Sequence, residues 1–391
     1  MPIWLNKASL YILAWCVYFY QGIIFPQGSI ITQLLLVFLL VVSLYYVFIA
    51  NVRYKLPKYF VGLNFLLALF SIYGAFIIIF PYDNSQVASS EFIKQIYVSL
   101  LPIYTFYVFS KENLINDKSI RLWTIALIFM TIGLYFSQEK KMLLYALMKN
   151  SLREEFTNNV GYLFTSLVPM CVFFRKKPII QYIALAVCLV FMVMAMKRGA
   201  LVIGLVCTFI ILWNNISKVN IKSKIIFLVL SCILSFMCIQ FVENQIEQSN
   251  YMKKRIEQTT KGDSSNRDKL YSTYLDFFVE QTSPSQFIFG TGANGTLQMV
   301  GYAHNDWLEI AINHGMMGLI IYLFYWLLFA KTSWGKDFKG DYRLVLQLVF
   351  IDFLLRTFFS MSYREMEVGT QLILGFALAQ ERKNEQICYS N

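Results

Sequence analysis

Both histidines of the 391-residue chain lie in residues 301–326, GYAHNDWLEIAINHGMMGLIIYLFYW. His304 is followed closely by Asp306 and Glu309, and a long apolar run comes next. Imidazole is the side chain best suited to proton transfer near neutral pH, so His304 is a candidate general base. His314 stands at the start of the apolar run, where we expect it to pack or to form a hydrogen bond.

Basic residues at predicted helix starts are candidate anion ligands. Lys197 and Arg198 open an apolar run, and Gly199 permits close backbone approach. Two cations at the positive end of a helix are unfavourable unless an anion binds there, whereas snorkelling to lipid headgroups is the structural alternative. Arg267 falls in the first turn of a second predicted helix, SSNRDKLYSTYLDFF, where Asp268 could simply neutralise it.

Two further arginines are predicted to have different roles. Arg364, in SMSYREMEVG, is another candidate anion ligand, although Glu365 and Glu367 could pair with it. Asp352 and Arg356 are four residues apart within an apolar run, so they can meet on one helix face. We interpret them as a structural ion pair inside a membrane.

The glycines of GTGANG, residues 290–295, match a dinucleotide fingerprint by letters alone. No βαβ pattern surrounds them, so the physical basis of that fingerprint is missing. We interpret the segment as a glycine turn that carries the chain towards His304.

The elements that position these residues are predicted to be membrane helices. Hydrophobic residues make up 57% of the chain, charged residues 15%, and the mean hydropathy is +0.53. Soluble domains carry about 25% charged residues, and apolar runs of about 20 residues are long enough to cross a bilayer. We predict an all-α, polytopic integral membrane protein with one membrane domain over residues 1–391. The twelve predicted spans are 8–25, 29–50, 59–81, 93–110, 120–136, 159–175, 178–196, 198–214, 222–241, 314–330, 343–361 and 367–381.

The basic residues orient these spans. Lysines and arginines concentrate in alternate links, which positive-inside logic places in the cytoplasm together with both termini. The lysines and arginines of these links account for the net charge of +11, so the charge does not indicate a nucleic-acid partner. Two long segments are then predicted to face outward. Residues 137–158 are predicted to form an amphipathic helix that adheres to lipid headgroups or closes over a substrate. Residues 242–313 carry the histidine motif.

The spacing around His304 resembles a family signature. His304-Asn305, nine residues and then Gly315-x-x-Gly318 are similar to the motif of O-antigen ligases, O-linked oligosaccharyltransferases and many O-antigen polymerases. KRGA at span eight, NRDKLYSTYLDFF followed by FGTGANG, and about twelve spans with a large late periplasmic loop also resemble that family. The likeness covers 158–330 by motif and the whole chain by topology, and AHNDWLEIAINHGMMGLIIY looks closer to the polymerases.

The resemblance implies an inverting glycosyltransferase of GT-C-like membrane fold in the bacterial inner membrane. Its donor would be an undecaprenyl-diphosphate-linked oligosaccharide, its active site would face the periplasm, and it would need neither cofactor nor metal. Other expected partners are membrane lipids and a chain-length regulator protein. By position, His304 would activate the acceptor hydroxyl. The expected diphosphate ligands are Arg198, Arg267, Lys197 and Arg364, and the expected supporting residues are Asn305, Asp306, Glu309, Gly315 and Gly318.

Three functions are compatible with this pattern. The first is an O-antigen polymerase that moves the growing glycan onto a sugar of the next lipid-linked repeat unit. The second is an O-antigen ligase that transfers the glycan to lipid A-core. The third is a flippase for lipid-linked oligosaccharides, which also binds diphosphate but needs no base; no internal repeat relates the two halves of this chain, which weakens the transporter reading.

Overall fold

A computed structural model describes residues 6–24, 28–79, 94–149, 158–217, 236, 240, 267–360 and 366–381. Helix is the regular structure of these residues, which contain no strand. The α-helices are α1 (Lys7–Phe19), α2 (Gln21–Ile24), α3 (Ile30–Arg53), α4 (Lys58–Ile79), α5 (Pro102–Lys111), α6 (Asp117–Met148), α7 (Gly161–Leu167), α8 (Pro178–Met194), α9 (Arg198–Ser217), α10 (Arg267–Asp276), α11 (Pro284–Phe289), α12 (Gly295–Met299), α13 (Asp306–Trp334), α14 (Gly340–Phe359) and α15 (Val368–Ala379).

The helices confirm an all-α, polytopic membrane protein. Among the described residues, five helices are long and apolar enough to cross a bilayer: α3, α4, α6, α9 and α13. Shorter apolar helices are α1, α8, α15 and the Gly161–Phe174 segment. The predicted ninth span, 222–241, lies outside the described residues apart from two positions.

Two helices differ in form from the predicted spans. The span predicted at 159–175 is α-helical only as far as Leu167 and continues as a 3₁₀-helix over Pro169–Phe174. Proline disrupts an α-helix because it lacks an N–H and crowds the preceding turn. α6 is one helix of 32 residues, so the first part of the 137–158 segment continues the preceding span. Residues 150–157 of that segment lie outside the described residues.

Among the described residues, the basic links that follow α5, the Pro169–Phe174 3₁₀-helix and α13 lie at one end of the helical bundle. α14 begins at this end and has 20 residues, a length of about 30 Å. At its far end the carbonyl oxygen of Phe359 accepts a hydrogen bond from Tyr162 Oη (3.4 Å), which defines the opposite end of the bundle. Three contacts join the basic links: Lys7 with Glu112, Arg175 with Asp341, and Tyr342 with Asp117.

Arg356 is a buried cation that ties α14 to α7 and α15. Its Nε donates to Asp352 (3.2 Å), and Nη1 donates to both carboxylate oxygens of Glu367 (2.7 and 3.0 Å). Its Nη2 donates to the carbonyl of Tyr162 and to Thr165 Oγ1, both at 2.6 Å. The contact between Asp352 and Arg356 confirms the predicted structural pair, and Glu367 completes the charge compensation that a buried cation needs.

Candidate active site

His304 lies in the turn that leads into α13. Asn305 is the N-cap of this helix, and its side chain accepts hydrogen bonds from the backbone N–H groups of Trp307 (3.0 Å) and Leu308 (3.2 Å). Trp307 Nε1 donates to Thr357 Oγ1 (3.0 Å), which fixes the start of α13 to α14. His304 adopts a left-handed backbone conformation (φ 53°), which is uncommon for a non-glycine residue and needs support from its surroundings.

That support comes from Glu309, a fully buried carboxylate in the first turn of α13. Its Oε1 accepts the backbone N–H of Ala303 (2.6 Å), directly before His304. Its Oε2 accepts Thr296 Oγ1 (2.7 Å) and Asn313 Nδ2 (3.1 Å). Glu309 therefore connects the turn that carries the imidazole to α12 and to the interior of α13.

Asp306, the first residue of α13, is also fully buried. Its Oδ2 accepts a hydrogen bond from Tyr322 Oη at 2.9 Å, four turns further along α13. Because this carboxylate points into the helical core, it contributes to the anchoring of the helix start.

The glycine turn docks against a break in α13. Gly315 adopts φ 64° and ψ −163°, a conformation that is essentially restricted to glycine. The carbonyl of Ile312, freed by the break, accepts the backbone N–H of Thr291 (2.8 Å). A Cβ atom on Gly315 would lie 2.5 Å from the backbone nitrogen of Gly290. The two backbone segments can therefore approach this closely only because both residues are glycines.

His314 is fully buried beside this break and packs against two rings of α4. Its ring centroid lies 4.4 Å from that of Tyr73, in an edge-to-face contact, and 5.3 Å from that of Phe70. Tyr73 in turn donates a hydrogen bond to the carbonyl of Phe289. These contacts agree with the interpretation of His314 as a packing residue.

α10 packs its apolar face onto the histidine turn. Tyr274 is fully buried in a cluster with Ala303 and Ile312, and its hydroxyl donates to the carbonyl of Gly301 (2.5 Å). This packing carries Arg267, at the start of α10, towards His304. Leu270, Phe277 and Phe278 pack against this cluster.

Arg267, Lys197 and His304 interact electrostatically. His304 remains accessible to solvent, yet its pKa is lowered from 6.5 by partial burial and then by the positive charges of Arg267 and Lys197. A lowered pKa favours the neutral imidazole at pH 7, which is the form that can accept a proton. The structure thus combines a candidate base with two cations from different parts of the chain.

Lys197 and Arg198 stand at the junction between α8 and α9. Lys197 Nζ donates to Asn159 Oδ1 (2.7 Å) and lies 5.7 Å from the centroid of the Tyr162 ring. Arg198, the first residue of α9, has an exposed side chain. A Cβ atom on Gly199 would lie 2.5 Å from Tyr162 Oη, so the predicted close approach at this glycine is present.

The structure does not describe every predicted ligand of the diphosphate. Arg364 is outside the described residues. Glu367, which the sequence offers as a partner for Arg364, binds Arg356.

Several residues that shape the site could not be predicted from local sequence patterns. Asn159 and Tyr162 hold Lys197, whereas Thr296 and Asn313 share the carboxylate of Glu309. Each is an ordinary polar residue at the edge of an apolar run, and only its long-range partner reveals what it does.

Part of the chain matches a known protein family. Residues 183–323 match the family model described as O-Antigen ligase, whereas no curated protein gave a match. The matched stretch contains Lys197, Arg198, Arg267 and His304 and ends within α13. The enzymes of this family are membrane glycosyltransferases that act on lipid-linked glycans. The match over residues 183–323 supports a relationship to the O-antigen ligase/polymerase family of membrane enzymes and does not distinguish ligase from polymerase.

Proposed function

We propose that the chain is a polymerase of O-antigen or a related surface polysaccharide. It transfers an undecaprenyl-diphosphate-linked glycan, with inversion, onto a sugar hydroxyl of the next lipid-linked repeat unit. The observation that carries this proposal is the accessible imidazole of His304, whose pKa is lowered by partial burial and by the charges of Arg267 and Lys197.

His304 acts as the general base in this reaction. Its unprotonated ring nitrogen takes the proton of the acceptor hydroxyl while that oxygen attacks the anomeric carbon from the face opposite the diphosphate. The carbon–oxygen bond to the diphosphate breaks, and its electron pair leaves on the phosphate oxygen. Sugar hydroxyls are weak nucleophiles, so a positioned base contributes about 10²–10⁴-fold to the rate.

Arg267, Lys197 and Arg198 stabilise the departing diphosphate. Charge accumulates on its bridging oxygen as the glycosidic bond breaks, and fixed cations aimed at that position lower the barrier. Guanidinium groups bind phosphate oxygens through two parallel N–H donors, whereas the ammonium of Lys197 acts as a compact charge. The exposed position of Arg198 at a helix N-terminus is suited to an anion that arrives from outside the protein.

The topology is compatible with transfer in the periplasm. Lys197 and Tyr162 lie at the end of α14 opposite the gathered basic links. If the positive-inside rule holds for this chain, that end faces away from the cytoplasm. Lipid-linked repeat units that have already crossed the inner membrane would then reach the site.

The first experiment supplies preformed lipid-linked repeat units to membranes that contain the full chain and measures polymer. His304→Ala is expected to reduce polymer formation by about 10²–10⁴-fold at unchanged protein level. Arg267→Gln is expected to impair turnover severely, with Lys269→Gln as the matched control because Lys269 is an exposed cation on the same helix. Undiminished polymer with His304→Ala would refute the proposed base and favour a transporter.

The family description O-Antigen ligase favours a second candidate, transfer of the same donor glycan to lipid A-core. The two reactions share the base and the diphosphate ligands and differ in the acceptor. Deletion of the gene separates them: loss of a polymerase leaves single repeats on lipopolysaccharide. Loss of a ligase leaves none, and carrier-linked chains accumulate.

A further inference from the structure

A cavity of about 460 Å³ opens at the same end of the bundle as Lys197. Its volume falls within the range of about 300–1,000 Å³ that is usual for small-molecule sites. It lies between α1, α2, α6, α7 and the segments that precede α5 and α15. Its lining consists of Tyr18, Phe19, Gln21, Lys94, Gln95, Val98, Ser99, Gln138, Met142, Asn158, Asn159, Val160, Tyr162, Leu163, Met366 and Glu367.

The lining combines amide and hydroxyl groups with apolar side chains and contains few charges. Five of its side chains are amides and three are aromatic rings, whereas Lys94 and Glu367 are its charged members. Glu367 is already occupied by Arg356, which donates to both of its oxygens. Within the described residues, the amides of Gln95 and Gln138 make no hydrogen bond to protein, so both can bind a ligand.

This combination matches the chemistry of a sugar. An amide offers donors and an acceptor side by side, as do the neighbouring hydroxyls of a pyranose. Aromatic rings supply a flat apolar surface with a polar edge, which suits the C–H face of a sugar ring. A polyprenyl chain would leave the amides of Gln95 and Gln138 covered and without hydrogen-bond partners, which is costly.

The cavity shares a wall with the cation site. Asn159 Oδ1 accepts the hydrogen bond of Lys197 Nζ, and the ring of Tyr162 lies 5.7 Å from the same nitrogen. Both residues also line the cavity, and the charge of Lys197 acts on His304. A ligand with its diphosphate at Lys197 therefore has room for the attached sugar beyond Asn159 and Tyr162.

We propose that this cavity binds the saccharide of the lipid-linked donor, with Gln95 and Gln138 as hydrogen-bonding residues. The proposal rests on the proposed function, because the diphosphate next to Lys197 defines which sugar enters the cavity. It assigns donor selectivity to the N-terminal half of the chain, outside the matched residues 183–323.

The test compares two lipids by native mass spectrometry of the detergent-solubilised full chain. One probe is the lipid-linked repeat unit purified from a strain that lacks this gene, and the other is undecaprenyl diphosphate without sugar. Replacing both Gln95 and Gln138 with Leu is expected to weaken binding of the repeat unit about tenfold or more, because two hydrogen bonds are lost. Binding of bare undecaprenyl diphosphate is expected to stay unchanged and also reports that the variant is folded. Gln347→Leu, on α14 and away from the cavity, is the matched control.

A second variant, Gln138→Trp, narrows the cavity and should weaken binding of the repeat unit while the bare lipid still binds. Unchanged binding of the repeat unit in both variants would overturn the saccharide assignment. Tighter binding of bare undecaprenyl diphosphate to the leucine variant would also overturn it, since the cavity would then hold the polyprenyl chain. A separate measurement tests the proposed function: that function would be refuted if Arg267→Gln left the binding of bare undecaprenyl diphosphate unaffected.

Discussion

Replacement of Glu309 by glutamine tests whether the turn that carries His304 depends on a buried carboxylate. Glu309 accepts three hydrogen bonds at 2.6–3.1 Å, from the backbone of Ala303 and from the side chains of Thr296 and Asn313. Glutamine keeps one acceptor oxygen and replaces the other with a donor. At least one of the three donors therefore loses its acceptor inside the protein.

A buried polar group without a partner costs about 1–3 kcal/mol. If the cost appears as a smaller population of the correctly folded His304 turn, turnover falls by about 5–150-fold. The assay is polymer formation from preformed lipid-linked repeat units at matched protein level. Glu280→Gln, an exposed acid in the Phe277–Gln281 π-helical turn, is the control that changes the same chemical group without a buried network.

Combination with His304→Ala distinguishes positioning from a general loss of stability. If Glu309 acts through His304, the double variant should be no slower than His304→Ala alone, because residues that act as a unit are not additive. Full turnover of Glu309→Gln would refute the reasoning. A double variant that loses the product of the two single effects would also refute it.

Three further predictions concern charge and packing. Lys197→Gln should move the acid limb of turnover to higher pH, because a positive charge that lowers the pKa of His304 is removed; an unmoved limb would contradict the electrostatic contact. Gly315→Ala should reduce the free energy of unfolding by at least about 1–3 kcal/mol and lower the melting temperature in detergent. The conformation of Gly315 is restricted to glycine, and an added Cβ atom would collide with the backbone of Ile288 and Gly290. Gly340→Ala, with φ 59° but open space around its Cβ position, should be milder, and equal losses would argue against the collision. Arg356→Met should destabilise the fold by about 3–5 kcal/mol because the two buried carboxylates of Asp352 and Glu367 lose their cation. Neutralising both carboxylates in the same chain should restore stability. An unchanged melting temperature of the single variant would show that the cluster is dispensable.

Local patterns predicted much of the helical architecture and part of the site. Apolar runs gave the spans, and the capping residue Asn305 was recognisable because a cap acts on N–H groups two or three residues away. The pair Asp352 and Arg356 followed from helical spacing in the same way. The change of the sixth span from α-helix to 3₁₀-helix at Pro169 is also local in origin, although the apolar run predicted one continuous span.

By itself, the sequence determined which side chains are capable of chemistry and that membrane helices carry them. Helix formation, capping and membrane insertion depend on residues within a few turns of one another, so these features can be read in order along the chain. Only the tertiary structure decided that Lys197 and Arg267 act on the same imidazole and that Asn159 and Tyr162 join them to a polar cavity. Such contacts depend on how helices pack, and packing is set by side-chain shapes from distant segments that no local pattern encodes.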